Sequence, residues 1–209
     1  ILELIGTVAF ASSGAMIAIE KKMDIFGVNV LGATTAVGGG IMRDIILGLT
    51  PPGAFSHPVY VLVAALTSTI LFVIAYAKPT AFESRVKTDY YDKLMFWCDT
   101  AGLGIFTVVG IQAAVRAVGG ENVFFFVFIG TLTGVGGGVL RDIMAGETPY
   151  ILVKHIYACA AIAGGIVCVM LSESTGISGE AYGTILGLAA TVLLRFLAAH
   201  FRWNLMRVS

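Results

Sequence analysis

Charge is what this sequence has least of. Of its 209 residues only 12% are Asp, Glu, Lys or Arg, about half of the roughly 25% found in soluble domains. Hydrophobic residues make up 57%, and the mean hydropathy is +0.91. So few polar groups could not cover the surface of a soluble protein of this size, and the chain is expected to live in a bilayer. The formal net charge is zero, which removes any whole-molecule attraction to nucleic acid. Cysteine is also scarce. Cys98, Cys159 and Cys168 are odd in number, lie in apolar runs and lack metal-ligand spacing, so they read as small apolar residues rather than a disulfide framework or a metal site. H-E-x-x-H, G-x-S-x-G and carboxylate pairs at catalytic spacing are all missing, so no enzyme is expected. Of the five prolines, Pro51, Pro52, Pro79 and Pro149 fall at or beside breaks between apolar runs, where a missing N–H costs least.

Long apolar runs are what remains. A spanning helix needs about 20 apolar residues, and seven runs qualify: Ile1–Ile19, Gly27–Gly48, Pro58–Ala77, Leu94–Val115, Val123–Gly146, Leu152–Leu171 and Ala181–Ala199. The first lacks a basic leader and an A-x-A-like cleavage site and reads as a retained span. The expected class is therefore an all-α membrane protein of seven transmembrane helices. Lys21, Lys22, Lys78, Arg85, Lys87, Lys93, Lys154, Arg202 and Arg207 lie in the loops after spans one, three and five and in the C-terminal tail, against Arg116 alone on the other side. Nine against one places the C-terminus in the cytoplasm and the N-terminus outside.

The chain is also duplicated. A shift of 98 residues aligns 32–57 with 130–155, and 13 of these 26 positions are identical. They include "GGGIMRDI" at 38–45 against "GGGVLRDI" at 136–143, and His57 against His155. Upstream, a shift of 96 pairs Glu3 with Asp99, Gly6 with Gly102 and Phe10 with Phe106. Residues 1–77 thus form one three-helix repeat and 94–171 a second, joined by a cytoplasmic loop at 78–93. A seventh helix at 180–199 and a cytoplasmic tail at 200–209 follow. Because each repeat crosses the membrane an odd number of times, the second enters from the opposite side. The halves are inverted repeats, an arrangement whose substrate and ion sites lie near the midplane, at the repeat interface.

The glycine triplets admit two readings. Gly32, Ala36 and Gly40, like Gly130, Gly134 and Gly138, fall four apart, a spacing that lets helices pack closely. That accounts for Gly40 and Gly138. Gly38, Gly39, Gly136 and Gly137 lie about 100–200° round the helix from this stripe. At about 1 kcal/mol per mid-helix glycine, the whole run is better explained by a kink or local unwinding beside a watery conduit. Arg43–Asp44 and Arg141–Asp142 follow within a turn. Intramembrane charges face a bundle interior or water, or else snorkel from helix ends, and inversion puts the two pairs at opposite mouths. Adjacent helical residues point about 100° apart, so each Arg is expected to pair across the two-fold axis, or with Glu3 and Asp99, rather than with its own neighbour. Such a bridge could gate or merely tether. Thr35, Thr133, Ser12 and Ser13 could line a cation path or satisfy backbone groups in apolar helices.

The doubled GGG-x-x-R-D-I motif, the three-plus-three-plus-one span pattern and the outward N-terminus resemble the trimeric intracellular cation channels, specifically their prokaryotic branch. The resemblance covers nearly the whole chain. It implies a homotrimer with one pore per protomer between the two repeats, conducting monovalent cations, chiefly potassium, past second and fifth helices kinked at the glycines. Potassium is then a permeant species rather than a cofactor, no other cofactor is expected, and membrane lipid is the remaining partner. Eukaryotic members carry a basic K-E-V stretch on the second helix; the matching region here reads "GGGIMRDI", with Arg43 as its cationic residue, so their lipid or calcium regulation is not carried over by the resemblance. Bacterial sequences with this duplicated unit have also been labelled transporters of small amino acids, glycine above all, so a secondary transporter is the alternative.

Overall fold

The computed structural model describes residues 1–77, 89–153, 156–174, 177–201 and 203. Among the described residues there is no strand. The long helices are α1 (Leu2–Glu20), α2 (Ile25–Ile46), α4 (Val59–Ala77), α5 (Asp89–Val118), α6 (Val123–Met144), α8 (Ala158–Ser174) and α9 (Ile177–His200). Two single-turn helices, α3 (Gly53–Ser56) and α7 (Tyr150–Val153), precede α4 and α8. Six of the long helices have the length and hydropathy to cross a membrane; α8, with 17 residues, is the shortest of the seven.

The repeat is visible element by element. Asp24 caps α2 by accepting from the Gly27 N–H at 2.7 Å, and Asn122 caps α6 by accepting from the Phe125 N–H at 3.0 Å. Such caps satisfy donors that a helix start leaves open. At the other ends, Gly48 and Gly146 take the left-handed conformation, with φ of 70° and 72°, where a glycine is the residue that turns the chain without strain. Lys21, just past α1, bridges Glu147, just past α6, at 2.7 Å, and the Tyr91 hydroxyl near the start of α5 donates to the Met16 carbonyl at 2.6 Å. These contacts gather the ends of α1 and α6 and the start of α5 at one face. The start of α1 and the end of α2 share a cavity at the other. The halves are inverted, as the odd span count requires.

Two boundaries differ from expectation. The expected sixth span, Leu152–Leu171, is divided: α7 ends at Val153 and α8 begins at Ala158. The expected loop at 78–93 ends early, because α5 is helical from Asp89. Polar residues at 89–93 hid that start, since a helix emerging beyond the bilayer no longer needs apolar side chains. His155 and Lys154 lie outside the described residues.

The core sits where the repeats meet. Phe10 of α1 and Phe106 of α5, paired by the 96-residue shift, face each other with ring centroids 5.3 Å apart, and they share a buried cluster with Ala11, Ala36 and Ala64. Each repeat has its own cluster beside it, one around Leu31 and Val28, the other around Ile111, Phe126 and Ile129. Among the described residues the seventh helix α9 packs mainly on α8 and α5, both of the second repeat.

Candidate functional site

The glycine triplets mark the crossing of α2 and α6, and both helices stay α-helical through them. Of the kink or local unwinding expected there, the unwinding is therefore corrected, and so is the division of labour among the glycines. A Cβ on Gly39 would land on the Thr133 carbonyl oxygen, and one on Gly137 would land on that of Thr35. A Cβ on Gly38 would come within 2.7 Å of Leu140, and one on Gly136 within 3.1 Å of Met42. These four allow the two repeats to meet backbone to backbone. A Cβ on Gly40, expected to serve packing, would meet nothing nearer than an Arg43 nitrogen at 3.9 Å, and Gly40 lines a cavity; Gly138 is buried, and a Cβ there would meet the Tyr157 hydroxyl at 3.3 Å. The four-residue spacing identified a face of small residues but not the helix that face meets. Gly32 packs on Ser68 of α4 instead. The Thr35 and Thr133 hydroxyls donate within their own helices to Leu31 and Ile129, at 2.6 and 2.7 Å. Ser12 does the same to Val8 at 2.7 Å.

From this crossing the two Arg–Asp pairs diverge to opposite faces. The first mouth is a cavity of about 280 Å³ bounded by Glu3, Gly40, Arg43, Asp44, His57 and Tyr60, with Phe106 at its inner end. Arg43 Nε donates to Asp44 Oδ1 at 2.8 Å, and Asp44 Oδ2 accepts the Gly53 N–H at 2.7 Å. Glu3 does not reach Arg43; its carboxylate accepts the Tyr60 hydroxyl. The Arg43 side chain keeps 14% exposure.

The second mouth, about 240 Å³, is bounded by Asp92, Phe96, Asp99, Arg141, Tyr150 and Arg195. Arg141 Nε donates to Asp142 Oδ1 at 2.8 Å, and Asp142 Oδ2 accepts the Tyr150 N–H at 2.7 Å, repeating the Asp44 arrangement. Arg141 Nη1 also donates to Asp99 at 2.8 Å and to Ser13 of α1, across the repeats, at 2.5 Å. Arg141 is 1% exposed. A buried guanidinium so fully paired is expensive to disturb.

Two expectations about pairing are thus corrected. Each Arg does bond its neighbouring Asp, because the flexible guanidinium arm curls back over the 100° that separates the Cβ vectors. The bridge to the acid at the start of the repeat forms in the second half, Asp99–Arg141, but not in the first. The sequence carries a reason for this asymmetry that the repeat alignment could have exposed. At a shift of 96, Ser13 corresponds to Val109, so Arg43 has no hydroxyl where Arg141 finds one. Tyr60 meanwhile takes Glu3.

One participant was not anticipated. Arg195 of α9 is 1% exposed and sits against the Asp99 side of the second mouth. Its Nη2 lies 3.4 Å from Asp99 Oδ2, and its Nε lies 3.3 Å from the Thr100 hydroxyl. A lone basic residue in an otherwise apolar span was the available signal.

The chain matches the family model described as "Glycine transporter" over residues 1–76 and 96–173, the two repeats. It is 38% identical over 188 residues to a UPF0126 membrane protein of Deinococcus radiodurans, covering 88% of this chain and 82% of that one. It is 36% identical to the UPF0126 inner membrane protein YadS of Escherichia coli K12, covering 98% and 92%. Among solved structures, it superposes on the TRIC trimeric intracellular cation channel orthologue from Rhodobacter sphaeroides with a TM-score of 0.85, 32% identity and 97% of each chain covered. A structure solved to explain conductance through TRIC cation channels matches with a TM-score of 0.82 and 36% identity, over 100% of this chain and 96% of that one. With both halves matched by the family model and its whole length shared with relatives above 30% identity, the chain belongs to the UPF0126 membrane proteins, the prokaryotic branch of the TRIC family.

Proposed function

We propose that this protein is a potassium-permeable channel for monovalent cations, assembled as a homotrimer with one pathway through each protomer. The observation that carries this reading is the pair of equivalent mouths at opposite faces of one protomer. Each gathers a carboxylate and an Arg–Asp pair beside a cavity, and the two cavities lie at opposite faces of the bundle whose centre is the Gly39–Gly137 crossing. The solved relatives named above as cation channels share the fold and over 30% of the sequence. Gly40, Arg43, Asp44 and Glu3 line the entrance to one end of the pathway, and Asp99, Arg141 and Asp142 form the other. Ser13 acts through Arg141. Thr35 and Thr133 stand on either side of the crossing, with oxygen lone pairs left after their helical bonds. Carboxylates at both entrances concentrate cations, and the paired guanidiniums keep those carboxylates from holding an ion too tightly to release it.

The loop charges favour an inner-membrane orientation with the N-terminus outside and the C-terminus in the cytoplasm. Potassium passes through rather than staying as a cofactor, and lipid covers apolar faces such as Leu62, Leu66 and Ile70 of α4. The alternative, a secondary transporter for glycine, rests on the description of the matching family model. Purified protein in a planar bilayer separates the two. Discrete potassium current steps are expected; silence together with saturable glycine uptake driven by an ion gradient would overturn the channel.

A further inference from the structure

The second mouth holds a cation of its own. The Arg195 guanidinium carbon lies 4.5 Å from the ring centre of Tyr157, 4.8 Å from that of Phe96 and 5.4 Å from that of Tyr150. All three distances are within the roughly 6 Å at which an aromatic face attracts a cation. Three rings and the Asp99 carboxylate together make the kind of box that receives a desolvated organic cation. We infer that Arg195 is a tethered cation: it occupies the place at the second mouth where a permeating cation would meet Asp99, and its withdrawal opens that mouth. This inference rests on the cation-permeation reading given above.

Three features single out Arg195 rather than Arg141 as the movable group. The first is bond quality. Arg141 holds Asp99 and Asp142 at 2.8 Å, whereas the Arg195 contacts at 3.3 and 3.4 Å lie beyond the usual 2.7–3.2 Å for an N–H donor. The second is charge balance. At the first mouth one arginine, Arg43, stands among two acids, Glu3 and Asp44. At the second, the two buried acids Asp99 and Asp142 meet two arginines, Arg141 and Arg195, and the remaining acid, Asp92, is exposed at the rim. The third is origin. Arg195 comes from α9, which lies outside the two sequence repeats and, among the described residues, packs mainly on the second. The seventh helix thus gives the second mouth an arginine that the first lacks, and a small shift of that helix carries the guanidinium away from Asp99 Oδ2 while Arg141 keeps its own bonds to Asp99 Oδ1 and Asp142.

Thiol modification tests this without requiring current. Met95 borders the second mouth, so Met95→Cys is made in a background with Cys98, Cys159 and Cys168 each changed to Ser, and reconstituted in liposomes. The rates of reaction with a trimethylammonium-bearing and a sulfonate-bearing methanethiosulfonate are then compared. Adding Arg195→Gln should raise the cation-over-anion rate ratio about ten-fold, the effect of losing one desolvated cation from its aromatic and carboxylate partners. Arg195→Lys, which keeps the charge but not the flat fork, should fall between, and its elution as a single oligomer guards against misfolding. In Arg195→Ala, millimolar guanidinium should re-enter the box and slow the cationic reagent towards the Arg195 rate. An unchanged ratio in Arg195→Gln, or no guanidinium protection in Arg195→Ala, overturns the tethered cation. Potassium current recorded on the same proteins keeps the two ideas apart. A shifted ratio without current removes the channel and leaves the tethered cation; current with an unshifted ratio does the reverse.

Discussion

The two mouths start from the same eight-residue pattern and end in different states. At the first, Arg43 has one carboxylate partner, keeps some exposure and faces an open cavity. At the second, Arg141 is bonded to Asp99, Asp142 and Ser13 and buried, with a second arginine beside it. Neither the glycines nor the Arg–Asp pairs differ between the halves. What differs is their surroundings: Val109 in place of Ser13, Tyr60 holding Glu3, and a seventh helix on one side only. Duplication therefore supplies a pathway with two ends, and substitutions outside the repeated motif decide how tightly each end is held.

The comparison breaks most sharply at the arginines. Arg141→Met should cost about 3–5 kcal/mol, because it leaves Asp99 and Asp142 buried without their shared partner. Arg43→Met should cost less, about 1–3 kcal/mol, because it strips one buried carboxylate, Asp44, which keeps its bond from the Gly53 N–H. Thermal unfolding of the two variants in detergent measures the difference, and equal losses would show that the mouths are not energetically distinct. The glycine crossing comes next. Gly137→Ala should destabilise by about 3 kcal/mol, since its obstacle is the Thr35 backbone and cannot rotate away. Gly40→Ala, facing open space, should instead stabilise by about 1 kcal/mol through helix propensity. If Gly40→Ala broke the oligomer while Gly137→Ala were silent, the assignment of the glycines would be reversed.

Ser13→Val gives the second mouth the residue that the first mouth has at Val109. Losing a hydrogen bond to a charged group should cost about 1.5–3 kcal/mol. The same melting assay reads it, and no loss would mean that Ser13 does not hold Arg141. The smallest effect belongs to the Lys21–Glu147 bridge, which ties the two repeats at the surface. The hydrogen bond and charge of Glu147 raise the Lys21 pKa above its ordinary 10.5. Its contribution is therefore fully present below 10.5 and lost as pH rises through the raised value. Lys21→Gln should leave the melting temperature nearly unchanged at pH 7, where an exposed bridge is worth little. A drop as large as that of Ser13→Val would show that this bridge holds the repeats together.

Much of this was legible before any coordinates. The all-helical membrane fold, its inversion and the placement of the charged pairs at opposite ends followed from hydropathy, parity and a repeat, whereas six of the seven expected spans have spanning length among the described residues. The Asp99–Arg141 bridge followed from matching positions in the two halves. The neighbour pairs Arg43–Asp44 and Arg141–Asp142 did not, because a helical wheel gives the direction in which a side chain leaves the backbone and not where a long, flexible one ends. Arg195 stayed hidden for a different reason. Phe96, Tyr150 and Tyr157 come from three separate segments, and no local pattern connects them to α9.

By itself the sequence determined a membrane-embedded, inverted duplication with a charged motif at each end, because hydropathy, helical period and span parity act along the chain and need no partner to be read. Only the tertiary structure decided which glycines the crossing uses, which acid each arginine holds and which mouth carries an extra cation. Those choices depend on contacts between residues 42, 96 and 128 positions apart. A periodic pattern tells a helix which side to bury but leaves its neighbour open, and the neighbour is what gives one mouth here a second arginine and leaves the other without one.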